Sequence, residues 1–74
     1  MNVQLLSCDA PRPDRRAISK TLVEIASGVD PSLADELTGI LIEGSPVDIE
    51  LNHGYHSSGL KSLRKLQIDY AIND

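Results

Sequence analysis

Seventy-four residues, 41% of them hydrophobic and 24% charged, are enough for one globular domain over residues 1–74 and leave no room for a second. The formal charge of −4 is concentrated in residues 21–60, which hold Glu24, Asp30, Asp35, Glu36, Glu43, Asp48 and Glu50 and no Lys or Arg. An acidic middle with only Tyr55 and Tyr70 as aromatics argues against nucleic acid, and no apolar run approaches the roughly 20 residues that span a membrane.

In chain order, Val3–Cys8 reads as a strand with Val3 and Leu5 on one face. Pro11 and Pro13 then hold the chain extended. Asp14 is placed to cap a first helix whose inward stripe is Ile18, Leu22 and Ile25, and Gly28 suits the left-handed position that ends it. Asp30-Pro31 is a second start signal, because the proline stands where a helix needs no N–H. Leu33, Leu37, Ile40 and Leu41 are expected to face inward, and Gly44 with Pro46 closes that helix.

Val47-Asp48-Ile49-Glu50-Leu51 alternates strictly, which predicts a strand with one apolar and one acidic face. A loop over Asn52–Ser57 leads to a short third helix carrying Leu60 and Leu63, with Ser57 or Ser58 as its cap. Gln67–Ile72 alternates again, with Ile68, Tyr70 and Ile72 inward. The pattern predicts an α/β (α+β) fold. It is a two-layer β-α-α-β-α-β domain, a three-stranded sheet covered on one face by three helices. Asp48, Glu50 and Asp69 would share the open face as solvated charges or as an acidic platform.

The energetics are close to balanced. Apolar burial contributes ~107 kcal/mol at about 25 cal/mol/Å², and ordering the chain costs ~111 kcal/mol. A partner or a second copy would therefore add useful stability.

Candidate chemistry is sparse. His53 and His56 with the distant Cys8 fall short of the three or four protein ligands that zinc requires, so no metal is expected. Cys8 cannot form an internal disulfide, which points to a reducing cytoplasm. It has no base placed beside it and reads as a small half-buried residue. No phosphate-cradling glycine loop is present, and no cofactor or enzymatic activity is expected. Gly39 stands inside a helix, where it costs about 1 kcal/mol relative to alanine. It therefore implies close approach by the first helix or by a partner.

Leu41-Ile42-Glu43-Gly44-Ser45-Pro46, Ala17-Ile18-Ser19-Lys20 and Leu60–Ile72 resemble, respectively, the second-helix ending, the first-helix segment and the last helix and strand of the bacterial ribosomal stalk protein's C-terminal domain. The resemblance spans nearly the whole chain and implies the same fold. In that family the domain recruits translation GTPases through basic and small residues around the first-to-second helix junction. Lys20 matches that pattern, whereas Val29–Glu36 is acidic where the family is basic. The architecture is also similar to that of the ClpS adaptor, which delivers substrates to a protease. Asp9 occupies the place of that family's amine-binding carboxylates.

These readings converge on a small, non-catalytic, cytoplasmic protein-interaction module. It would dock a translation-related or other cytoplasmic protein through its helical face, with Arg15, Arg16, Lys20 and Gly39 as the contact surface. The alternatives are an adaptor using Asp9 and a structural homodimer.

Overall fold

The computed structural model describes residues 1–73. Strand β1 (Asn2–Cys8) is followed by helices α1 (Arg15–Ile25) and α2 (Pro31–Ile42), strand β2 (Val47–Glu50), helix α3 (His56–Lys65) and strand β3 (Ile68–Ile72). The three strands form an antiparallel sheet in the order β2-β1-β3, so the chain is an α+β fold. The structure exposes 4582 Å², close to the ~4,450 Å² expected of a folded chain of this mass.

Local chemistry accounts for the first two helices. The Asp14 carboxylate accepts the Ala17 N–H at 3.0 Å, and the Asp30 carboxylate accepts the Leu33 N–H at 2.8 Å, each satisfying a donor that the helix itself leaves open. Pro31 opens α2, and Gly28 and Gly44 take φ of 71° and 101° after the two helices. Helix α3 begins differently. It starts at His56 with Tyr55 at the cap position and no side-chain cap bond, so Ser57 and Ser58 lie inside the first turn rather than before it.

Register places the core on one sheet face. Val3 lies opposite Ile49, and Leu5 lies opposite Val47 on one side and Tyr70 on the other. Val3, Leu5, Val47, Ile49 and Ile68 are buried with Ile18, Leu22, Ile25, Leu41 and Leu63 of the helices. Leu6 has no opposite number in β3, and this bulge brings Cys8 opposite Ile68. Asp48, Glu50 and Asp69 are exposed and alternate with the buried residues, so they lie on the open face.

Two inward assignments need correction. In α2 the buried residues are Ala34, Thr38 and Leu41, whereas Leu33 is 39% and Ile40 41% exposed. The helix turns its small residues inward, and the Thr38 hydroxyl can be buried because it donates to the Ala34 carbonyl at 2.7 Å. In β3, Ile72 is 50% exposed. It pairs with Val3 and so shares the core face, but it sits at the end of an edge strand, past the buried Ile68. In α3 the buried positions are Gly59 and Leu63, with Leu60 half-buried.

Candidate functional site

Helices α1 and α2 pack side by side and leave between them a groove of about 770 Å³. Arg15, Arg16 and Lys20 of α1 line it and are all exposed. Their spacing explains this, since residues one, four and five apart crowd one side of a helix while Ile18, Leu22 and Ile25 occupy the other. Val23 and Pro31 add apolar surface, and the buried Thr38 and nearly buried Ser19 form the floor.

A hydrogen bond crosses that floor. The Ser19 hydroxyl donates to the Asp35 carboxylate at 2.6 Å, joining α1 to α2 sixteen residues apart. The three cations face two acids, Glu24 and Asp35, so the groove lining carries a net formal charge of +1. Among the described residues, Arg15, Arg16 and Lys20 have no ion-pair partner. The sequence-predicted basic group is thus gathered at one groove in a chain that is acidic overall.

Gly39 belongs to the same place. A Cβ built there would lie 3.3 Å from a terminal guanidinium nitrogen of Arg15. The missing side chain lets Arg15 lie against the α2 backbone, so the close approach expected at this glycine is made by a side chain of the first helix. Sequence reasoning missed Ser19, Val23, Asp35 and Thr38. Their relation spans two helices, and no local spacing announces it.

Asp9 lies elsewhere, in a shallow cleft with Arg64 and Gln67. Its carboxylate accepts the Ser7 hydroxyl at 3.2 Å, and its N–H donates to the Gln67 carbonyl at 2.8 Å. The first is a local side-chain bond, and the second extends the β1–β3 pairing one residue beyond the Cys8–Ile68 pair. His53 and His56 stack with ring centroids 5.8 Å apart. Among the described residues no group of three His, Cys, Asp or Glu side chains could hold a metal ion. Cys8 is half-buried, with its thiol 3.6 Å from the Leu66 carbonyl. Among the described residues no helix is long and apolar enough to cross a membrane.

No protein-family model, curated protein or solved structure matches this chain.

Proposed function

We propose that the chain is a non-catalytic protein-interaction module that docks an acidic surface of a partner protein in the α1–α2 groove, in the cytoplasm. The observation that supports this reading is the gathering of Arg15, Arg16 and Lys20 around one groove of about 770 Å³ with apolar Val23 and Pro31 beside them. Cations speed and orient association with an acidic partner, and apolar neighbours hold it once water has been displaced. Such binding weakens as salt screens the charges.

The adaptor reading has less support, because the Asp9 carboxylate already accepts the Ser7 hydroxyl. A tagged chain used as bait at low and high salt, with the eluate identified, tests the proposal together with Arg15→Glu/Arg16→Glu. The expected result is a salt-sensitive partner that the double variant no longer captures while melting at the same temperature. Capture unchanged in the variant places the docking surface elsewhere. Preference among peptides that differ only in their first residue would favour the adaptor.

A further inference from the structure

The two edges of the sheet are finished in different ways. The Leu51 N–H donates to the Met1 carbonyl at 2.9 Å, and Met1 and Leu51 continue the register of Val3 with Ile49. Backbone groups alternate in direction along a strand, so Asp48, Glu50 and Asn52 turn theirs away from β1. Those groups are used at the Glu50–Asn52 end, whereas the Asp48 groups and the Glu50 N–H have no backbone bond beyond the sheet among the described residues. The Ser27 N–H donates to the Glu50 carbonyl at 2.7 Å, the Asn52 N–H donates to the Ile25 carbonyl at 2.9 Å, and Ala26 bridges to Leu51. The segment leaving α1 therefore closes the C-terminal end of the β2 edge, and Pro46 precedes the strand at its other end.

At β3 no neighbouring segment closes either end of the edge among the described residues. The Asn73 N–H donates to the Asn2 carbonyl at 2.9 Å, one step beyond the Val3–Ile72 pair. Tyr70 and Ile72 therefore turn their N–H and C=O groups outward, and no backbone bond beyond the sheet engages them among the described residues. The stretch Ile68-Asp69-Tyr70-Ala71-Ile72 holds no proline and no lysine, two residues that commonly protect such edges. Ile72 is 50% exposed although its partner Val3 is buried.

We propose that the β3 edge is a self-association site at which a second copy of this chain pairs β3 with β3, antiparallel about a two-fold axis at Ala71, to make a continuous six-stranded sheet. In this register Tyr70 of each chain lies opposite Ile72 of the other, and their outward groups exchange four hydrogen bonds. An aromatic and a β-branched side chain then meet on the core face, where each covers apolar surface of the other. Ala71 faces its own copy with the smallest side chain available in the strand. Asp69 falls opposite Asn73, so no like charges are opposed. A two-fold axis requires a patch to complement itself, and outward donors and acceptors at positions 70 and 72 meet that condition.

The inference is independent of the α1–α2 groove. Sedimentation equilibrium from micromolar to millimolar chain concentration tests it directly, with amide exchange measured in parallel. The expected result is a rise from the mass of one chain to that of two, with slower exchange at Tyr70 and Ile72 as concentration rises and no change at Asp48. Ile72→Pro removes an outward donor without removing a bond to β1, and Ile72→Lys places a charge in the paired edge. Both are expected to remain at the single-chain mass, and the lysine variant decides the matter if the proline variant fails to fold. In a Cys8→Ser background with oxidised glutathione added as the oxidant, Ala71→Cys is expected to form a disulfide to its own copy, since directly opposed non-bonded pairs have Cα atoms about 4.5 Å apart. Asp48→Cys in the same background is expected to remain uncrosslinked. A single-chain mass throughout the range overturns the proposal, even if β3 pairs with an added foreign peptide. A dimer that survives in Ile72→Lys also overturns it.

Discussion

A terminal nitrogen of Arg15 lies 3.3 Å from the point where a Cβ of residue 39 would stand, so Gly39 of α2 forms the bed for a cation of α1. The arrangement leads to a two-part prediction. Alanine raises helix propensity over glycine by about 1 kcal/mol, and the close neighbour among the described residues is the far end of a flexible side chain. Gly39→Ala is therefore expected to stabilise the chain by roughly 0.5–1 kcal/mol in urea titration. It should also weaken partner capture several-fold, because Arg15 must leave its bed. Destabilisation would show that the guanidinium cannot move aside.

Gln67 ends α3 with φ of 60°, a left-handed conformation that glycine adopts without a Cβ penalty. Gln67→Gly is expected to add roughly 1 kcal/mol of stability. Its carbonyl bond to the Asp9 N–H is a backbone bond and survives the change. An unchanged urea midpoint would mean that the glutamine side chain contributes an offsetting interaction.

The Ser19–Asp35 bond ties α1 to α2 beneath the proposed docking groove. Ser19→Ala is expected to cost about 1 kcal/mol, since the exposed Asp35 can exchange its lost donor for water. In a double-mutant cycle with Asp35→Ala the two losses should not add. Additive losses would show that the hydroxyl and carboxylate act separately.

Gly59 is buried where α3 meets Ile25 and Leu51, with a built Cβ 3.5 Å from each. That distance is ordinary contact, so Gly59→Ala is expected to stabilise by up to about 1 kcal/mol through helix propensity. Gly59→Leu exceeds the space and should cost roughly 1–3 kcal/mol. Thermal melts of the pair check the contrast. Equal melting of both variants would mean that α3 shifts freely to make room.

Loss of a helix cap gives a further expectation. Asp14→Ala and Asp30→Ala should each cost about 1 kcal/mol, with the helix content of the remaining native protein unchanged by circular dichroism. A negligible cost at either site would show that solvent satisfies the freed N–H equally well.

The boundaries of α1 and α2 were legible because their causes lie within a turn of chain. Asp14 and the Asp30-Pro31 pair act on N–H groups three residues away, and Gly44 takes a left-handed conformation directly after α2, whereas α1 ends at Ala26 in extended conformation, two residues before Gly28. The alternation of Val47–Glu50 likewise carries its own facing, because successive side chains of a strand point to opposite sides. The stripe of α1 was as plain, for its opposite side is charged. The same contrast gathers Arg15, Arg16 and Lys20 into one group from sequence alone.

What the sequence left open depends on contacts between residues far apart in the chain. Helix α2 is apolar on more than one side, so only packing against α1 and the sheet chose Ala34 and Thr38 over Leu33 and Ile40 as its buried face. The order β2-β1-β3 made β3 an edge and left Ile72 exposed, although its alternation matches that of a buried strand. The Ser19–Asp35 bond and the Arg15–Gly39 contact exist only once two helices lie side by side. Local chemistry acts over a few residues and therefore determined where the elements of this protein begin and end. Only tertiary packing, by bringing distant surfaces together, decided which faces were buried and which remained exposed.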